Sequence, residues 1–148
     1  MNRLARDVMT PDPACCTVNT TLDQVAKLMS QNDCGEIPVV DAADQPIGVI
    51  TDRDIVCRVV AQGMNPMAHT VEPYMSQPVV TVRTDARLDE VLSTMERHQI
   101  RRVPVVDEQG CCAGMIAQAD VARVGVERDV AELVREVSRE SPSPATHR

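Results

Sequence analysis

Apolar residues recur along this chain in a pattern that is written twice. Two stripes have the i, i+3, i+4, i+7 spacing of an amphipathic helix: Leu22, Val25, Ala26, Met29 and Leu88, Val91, Leu92, Met95. Two short apolar runs follow each stripe, and a further helix is predicted to begin near Thr51 and near Ala117. An extended segment precedes each first helix, at 15–18 and 79–83. Each copy is therefore predicted to have the order β-α-β-β-α.

A shift of 66 positions aligns the two copies without a gap from Met9 on Met75 to Arg58 on Val124. Such a repeat predicts two similar units related by a pseudo-twofold axis, with a cleft between them. Each unit has only about 50 residues, so we expect the two halves to share one core. The proline in each first apolar run, Pro38 or Pro104, favours an edge position or the start of a strand.

The pattern also divides the chain into segments. Gly63 and Pro66 lie in a predicted linker, and an apolar stripe after the second copy predicts a terminal helix. The predicted segments are repeat 1 at 1–61, the linker at 62–72, repeat 2 at 73–124, the C-terminal helix at 125–140 and a disordered tail at 141–148.

Composition narrows the class of protein. The 148 residues include one Tyr but no Phe or Trp, so the core must be aliphatic. The net charge of −7 disfavours binding to nucleic acid or to an anionic membrane. No apolar stretch approaches the length of a membrane span, and the first residues lack the apolar run of a signal peptide. We therefore expect a soluble, cytoplasmic protein.

Cysteine and histidine residues offer little catalytic chemistry. The six cysteines include two adjacent pairs, Cys15/Cys16 and Cys111/Cys112, but no metal-binding spacing. Reduced thiols that pack as small apolar groups and a thiol-based redox sensor both remain open. His69, His98 and His147 lie in a linker, a helix end and a tail, and no nucleophile–base pair or metal site is predicted. We expect no enzymatic activity.

The repeated motifs resemble a tandem pair of CBS domains. Each copy has a helix followed by Pro-Val-Val-Asp, and a Gly-x-x-Thr-x-x-Asp motif is complete at 48–54. The second copy, at 114–120, keeps the Gly and Asp but has Ala117 in place of the Thr. The resemblance implies an α+β fold of two repeats packed through their sheets, two ligand clefts and association into a homodimer. It also implies sensing of AMP, ADP or ATP, with NAD or an adenosyl compound as alternatives, on behalf of an effector protein that the sequence does not identify.

Thr51 and Asp54 suit a nucleotide on chemical grounds. Thr51 is expected at a helix N-terminus, where unpaired N–H groups favour phosphate, and the Asp54 carboxylate suits ribose hydroxyls. The alternative is that the two residues only cap the helix. The persistence of Asp120 beside Ala117, where no reciprocal cap is possible, favours a ligand role.

Basic residues distinguish the two predicted clefts. Arg101 and Arg102 precede the Pro-Val-Val run of repeat 2, and CBS pairs commonly place basic residues there to reach a phosphate. The corresponding residues of repeat 1 are Gly35 and Glu36. We therefore predict one phosphate-competent cleft with Thr51, Asp54 and the two arginines. The other cleft, with Ala117, Asp120, Gly35 and Glu36, is predicted to be degraded. A solvated helix end is the alternative explanation of the basic cluster.

The predicted nucleotide-binding residues are Cys16, Thr17, Ile37, Pro38, Val49, Thr51, Arg53, Asp54, Arg101 and Arg102, and those of the degraded cleft are Val82, Val103, Pro104 and Asp120. The first five supply the wall and backbone around the adenine base. Two other functions stay open: a ligand-free dimerisation or assembly module, and the thiol redox sensor.

Overall fold

The computed structural model of this protein describes residues 3–124. The helices are α1 (Ala5–Val8), α2 (Leu22–Asn32), α3 (Asp52–Ile55, continued by a π-helical turn at Val56–Val60) and α4 (Leu88–His98), with 3-10 turns at Pro66–Ala68 and Glu72–Tyr74 and a last helical segment over 118–124. The strands are β1 (Thr10–Pro11), β2 (Glu36–Val40), β3 (Pro46–Thr51), β4 (Val82–Arg83), β5 (Arg102–Val106) and β6 (Cys112–Ala117). The predicted terminal helix and tail, at 125–140 and 141–148, lie outside the described residues. Over residues 3–124, none of the helices combines the length and hydropathy needed to cross a bilayer.

Helices α2 and α4 form where the apolar stripes predicted them. The stripe residues Leu22 and Val25 of α2, and Val91 of α4, are fully buried. Both helices end at equivalent positions, where Asp33 and Gln99 adopt the left-handed conformation with φ of 50° and 54°. A polar side chain tolerates this conformation better than an apolar one. The two copies therefore share the helix and also the way it ends.

The two sheets are built alike. In repeat 2, β5 pairs antiparallel with β6 and parallel with β4, while β1 covers the other edge of β6. In repeat 1, β2 and β3 form the corresponding antiparallel pair. Isolated bridges, Cys16–Val39 and Val49–Ser76, occupy the places that β4 and β1 hold in repeat 2. The predicted order β-α-β-β-α is thus confirmed in both copies.

The predicted edge position of the prolines is wrong. Pro38 faces Val49 within the β2–β3 pair, and Cys16 pairs on the other side of β2. Val49 directs both its N–H and its C=O to Ser76, at 3.2 and 2.8 Å. Pro38 is therefore at a non-hydrogen-bonded position opposite Val49, so its missing N–H removes no bond from the sheet. Pro104 stands in the same register against Met115.

The segments that precede the two repeats are exchanged between them. The Leu22 N–H donates to the His69 carbonyl at 3.0 Å, and the Leu88 N–H donates to the Arg3 carbonyl at 3.2 Å. The N-terminal segment therefore lies on repeat 2, and the segment before repeat 2 lies on repeat 1. Gly48 allows this close approach, because a Cβ there would lie 2.8 Å from the Ser76 carbonyl oxygen.

This exchange gives each repeat its own core rather than the single shared core that the sequence predicted. One cluster of buried residues is centred on α2, β2 and β3 and includes Val71 from the segment before repeat 2. The other is centred on α4, β5 and β6 and includes Ala5 from α1. Each core is completed by a residue from the other half, so the repeats are interlocked without merging their interiors.

Candidate functional site

A crevice opens where the start of β5 in repeat 2 faces repeat 1. Its volume is about 430 Å³, and its lining residues are Met29, Ser30, Asp33, Cys34, Gly35, Asp52 and Arg102. Six of these belong to repeat 1, at the end of α2, the segment before β2 and the beginning of α3. Arg102 is contributed by repeat 2. The crevice therefore depends on how the two repeats pack, and its charged lining residues are two carboxylates, Asp33 and Asp52, and the guanidinium group of Arg102.

Glu36 and Arg102 occupy equivalent positions in the two repeats, 66 residues apart, at the first residues of β2 and β5. The Arg102 guanidinium is near enough to the Glu36 carboxylate to oppose the rise of its pKa. Two equivalent residues can approach one another only close to the axis that relates them. The charge asymmetry between the copies, acid in one and base in the other, is thus concentrated at the pseudo-twofold axis.

The Glu36 carboxylate is in an unusual environment. Its Oε2 atom is buried and accepts no hydrogen bond from residues 3–124. Burial raises the pKa of Glu36 to about 7, and the carboxylates of Asp54 and Asp52 contribute to the increase while Arg102 opposes it. Because a buried carboxylate is costly in its charged form, Glu36 exchanges a proton near neutral pH.

This placement corrects the sequence-based assignment of Gly35 and Glu36 to a second cleft. Antiparallel pairing sets Glu36 opposite Thr51, so the chain before β2 lies beside the chain after β3 in the same repeat. The Asp52 N–H donates to the Gly35 carbonyl at 2.9 Å, and a Cβ on Gly35 would lie 2.8 Å from Asp52 Oδ2. Glu36 therefore shares the site of Asp54 and Arg102, and the two sets of charges are not separated.

Thr51 and Asp54 form a reciprocal capping box at the start of α3. The Asp54 N–H donates to Thr51 Oγ1 at 3.1 Å, and the Thr51 N–H donates to Asp54 Oδ2 at 3.0 Å. The cap that the sequence offered as an alternative is therefore present. It uses one carboxylate oxygen of Asp54 and an acceptor site of the Thr51 hydroxyl. The O–H of Thr51 and the second oxygen of Asp54 make no hydrogen bond within residues 3–124 and can still contact a ligand.

Asp120 has a structural role that the sequence argument overlooked. It accepts a hydrogen bond from the Ala117 N–H at 3.0 Å, and its other oxygen lies 3.6 Å from the Arg123 guanidinium. Half of the capping box survives without a threonine hydroxyl. The presence of Asp120 is thus explained by the cap and gives no support for a ligand in the second cleft.

The two predicted arginines are not equivalent. Arg102 lines the crevice and is partly buried, whereas the Arg101 side chain is exposed and does not line it. The Arg101 carbonyl accepts a hydrogen bond from the Gln118 N–H at 2.7 Å, which fixes its backbone within repeat 2. Arg53 is likewise exposed. Of the predicted cations, only Arg102 faces the crevice.

The predicted adenine walls are divided by the alternation of side chains along β2. Ile37 and Cys16 are 1% and 4% exposed and belong to the core of repeat 1, so the prediction that the Ile37 side chain is a wall of the cleft is wrong. Pro38 faces the opposite side of β2, with Val49 directly across from it. Thr17 is exposed, and its N–H donates to Thr20 Oγ1 at 3.0 Å.

The same alternation governs repeat 2. Val82 and Val103 are buried in its core, so the prediction that these two side chains line the degraded cleft is also wrong. Pro104 lies on the other face of β5 and pairs with Met115. The two acidic residues that line the crevice, Asp33 and Asp52, were not among the predicted site residues. The left-handed end of α2 and the turn from β3 into α3 bring these two residues together, and neither has a sequence motif of its own.

The CBS domain family matches residues 5–61 and 71–127, and the chain belongs to this family. The uncharacterized protein MK0525 of Methanopyrus kandleri is 38% identical over 119 residues, which cover 80% of this chain and 58% of that protein. The chain thus spans little more than half of the length of that relative. Hypoxic response protein 1 of Mycobacterium tuberculosis is 34% identical over 133 residues, covering 90% of this chain and 92% of the relative.

Solved structures of CBS-domain pairs superpose on the chain. Hypoxic Response Protein I, crystallised with two coordinated zinc ions, matches with a TM-score of 0.74 at 36% identity, over 82% of this chain and 98% of that one. The CBS domain pair of protein MJ0100, in complex with 5′-methylthioadenosine and S-adenosyl-L-methionine, matches with a TM-score of 0.77 at 26% identity, over 86% and 99%. The predicted α+β fold of two CBS repeats is confirmed. Within residues 3–124 of the present chain, no three His, Cys, Asp or Glu side chains are placed to hold a metal ion.

Proposed function

We propose that this protein is a regulatory module that binds an adenosine-containing ligand in the crevice between its repeats and performs no catalysis. The observation that carries the proposal is the position of Arg102, which comes from repeat 2 but lines the same crevice as Asp52, the first residue of α3 in repeat 1. Asp54 lies close to this crevice, since it and Arg102 both act on the Glu36 carboxylate. The CBS pair of MJ0100, which is similar in fold and 26% identical, is described with two adenosyl compounds. This similarity supports an adenosine ligand for the present chain.

Each part of such a ligand has a partner of suitable chemistry. The second carboxylate oxygen of Asp54 would accept hydrogen bonds from the ribose hydroxyls. Pro38 and Val49, which share a face of the β2–β3 pair, would hold the base between aliphatic surfaces. Arg102 would bind a phosphate through its planar guanidinium, assisted by the Thr51 hydroxyl. The ligand we propose is AMP, ADP or ATP, with NAD or an adenosyl compound as alternatives.

The ionisation state of Glu36 would affect the affinity for a phosphate and the affinity for an adenosyl cation in opposite directions. A phosphate close to Arg102 would repel the Glu36 carboxylate, and its binding would favour the protonated form of Glu36. A sulfonium compound would instead favour the ionised form. We propose that AMP binds more tightly as the pH falls through 7 and that S-adenosylmethionine shows the opposite trend. Calorimetric titration of both ligands on either side of that pH distinguishes the two classes.

A matched pair of variants tests the site itself. Asp54→Asn keeps a cap acceptor for the Thr51 N–H but removes the charge and weakens the ribose contact. Asp120→Asn makes the same change in repeat 2. We expect AMP to bind 10- to 100-fold more weakly to Asp54→Asn and Arg102→Ala, about 1.5–3 kcal/mol for each charged partner, and without change to Asp120→Asn. An equal loss in Asp54→Asn and Asp120→Asn, or equal affinity for 2′,3′-dideoxy-AMP, contradicts the proposed role of Asp54.

A second candidate function is assembly. Val56 and Val60, about one turn apart in the helical segment that continues α3, expose 56% and 53% of their surface and form an apolar strip that a second copy of the chain would cover. We propose a homodimer formed through this strip, which passes the ligand state to an effector protein in the cytoplasm. Light scattering of Val60→Lys tests the dimer. A monomeric variant that still binds AMP separates assembly from sensing, whereas an unchanged dimer excludes this interface.

A further inference from the structure

The polypeptide crosses from one repeat to the other between Asp12 and Cys16. β1 pairs with β6 of repeat 2, and the Asp12 N–H donates to the Ala113 carbonyl at 3.2 Å. Four residues later, the Cys16 N–H donates to the Pro38 carbonyl of repeat 1 at 3.0 Å. Cys15 therefore lies on the crossing segment itself, next to the first residues of β6.

A second cysteine meets Cys15 there. Cys112 begins β6, and its backbone N–H donates to the Asp44 carbonyl in the β2–β3 turn at 2.9 Å. The Cys15 thiol donates a hydrogen bond to the Pro13 carbonyl at 3.3 Å, and the Cys112 thiol lies near enough that each of the two cysteines shifts the pKa of the other. Both side chains are partly buried, so they are held in place yet remain reachable by a small oxidant. The tertiary structure thus brings one member of each adjacent cysteine pair close to one member of the other. The redox sensor predicted from the sequence used each adjacent pair by itself.

We propose that Cys15 and Cys112 form a reversible disulfide that links the two repeats when the protein meets a peroxide. The Cys15 thiolate attacks one oxygen of hydrogen peroxide, the O–O bond breaks, and the hydroxide that leaves becomes water by taking up a proton. The resulting sulfenic acid is attacked by the Cys112 sulfur, which loses its proton as the S–S bond forms and the S–O bond breaks. A second water leaves. Two thiols lose two electrons in total, and one peroxide is reduced to two waters.

The local electrostatics assign the two roles. The neighbouring Cys112 thiol lowers the pKa of Cys15, and the same interaction raises the pKa of Cys112. Cys15 is thus the attacking thiolate and Cys112 resolves the sulfenic acid. Cys16 is protected from this chemistry, because burial raises its pKa to about 12. The Cys111 thiol instead donates a hydrogen bond to the Ala43 carbonyl at 3.4 Å. Neither neighbour competes for the bridge, and the inference does not require any nucleotide ligand.

The experiment uses the full chain with Cys34 and Cys57, which are both exposed, replaced by serine. The reduced protein is treated with one equivalent of hydrogen peroxide and then analysed by intact mass and by tryptic mapping without reductant. We expect a loss of two hydrogen masses and a cross-link between the peptide that holds Cys15 and Cys16 and the peptide that holds Cys111 and Cys112. Dithiothreitol should restore the original mass.

Further variants identify the bonded atoms, because trypsin leaves each adjacent pair on one peptide. Cys16→Ala and Cys111→Ser should keep the cross-link, and Cys15→Ser or Cys112→Ser should abolish it. The bridge closes a loop of most of the described chain, so Tm should rise by roughly 10 °C on oxidation. A cross-link that survives in Cys15→Ser, a covalent dimer, or peroxide consumption without a link between these two peptides overturns the proposal.

Discussion

The two repeats have the same architecture but differ where their surfaces meet. Repeat 1 has Gly35 and Glu36 at the start of β2, whereas repeat 2 has Arg101 and Arg102 at the start of β5. Repeat 1 starts its second helix with a complete capping box, and repeat 2 keeps only the bond from the Ala117 N–H. These changes lie outside both cores, so the fold accommodates them without repacking.

The comparison shows that two equivalent positions can make one site. Because Glu36 and Arg102 approach the same axis, an acid in one copy and a base in the other produce a single asymmetric crevice. The same charged residue at both positions would place two like charges together. An acid in one repeat and a base in the other avoid this repulsion and give the crevice a mixed charge.

The largest effect is expected from removing the acid at the axis. The Glu36 carboxyl has a folded-state pKa of about 7 against 4.5 for an ordinary glutamate. Between these values the unfolded chain binds fewer protons than the folded one, so stability falls as the pH rises and then levels off above 7. Glu36→Gln lacks this dependence. We expect the free energy of unfolding of the wild type, relative to the variant, to fall by about 3 kcal/mol across this interval.

Urea unfolding at a series of pH values measures this difference. Glu90→Gln, which changes an exposed glutamate on α4, is the matched control and should follow the wild type. If Glu36→Gln and the wild type keep parallel stability curves from pH 4.5 to above 7, Glu36 is not the buried titrating group.

A second prediction compares equivalent glycines. A Cβ on Gly48 would meet the Ser76 backbone carbonyl at 2.8 Å, which cannot move without breaking the strand pairing. On Gly114 the obstacle is the Met9 side chain, which can change rotamer. Gly48→Ala should therefore cost about 1–3 kcal/mol of unfolding free energy, and Gly114→Ala less. Denaturant unfolding of both variants checks the ranking, and equal losses would show that the two exchanged segments are equally rigid.

The smallest expected effect concerns the helix caps. The threonine of repeat 1 and the alanine of repeat 2 occupy equivalent cap positions, so each can be replaced by the other. Thr51→Ala should lower the free energy of unfolding by about 1 kcal/mol because the Asp54 N–H loses its acceptor. Ala117→Thr should raise it by up to about 1 kcal/mol by completing the box with Asp120. Thermal unfolding of the two variants, alone and combined, tests whether the opposite changes cancel.

The apolar periodicity of the sequence was sufficient to predict the duplication and the main helices and strands of each repeat, although not the short elements α1 and β1. A helix stripe such as that of α4, or a paired run such as β5, is set by local spacing and by which residues avoid water. The same spacing identified Thr51 and Asp54 as neighbours at a helix start, since three residues of separation fix their proximity. These features depend on residues close together in the chain, and a single sequence contains that information.

Contacts between distant segments could not be predicted in this way. Nothing in the spacing shows that the chain before each repeat packs on the other repeat. Nor does it show that Glu36 lies near Arg102 instead of in a separate cleft. The contact between Cys15 and Cys112 likewise follows from the crossing of the chain between sheets. Local sequence determined which groups this protein possesses, and the packing of the two repeats decided which of them meet, because proximity across a pseudo-twofold axis is independent of separation along the chain.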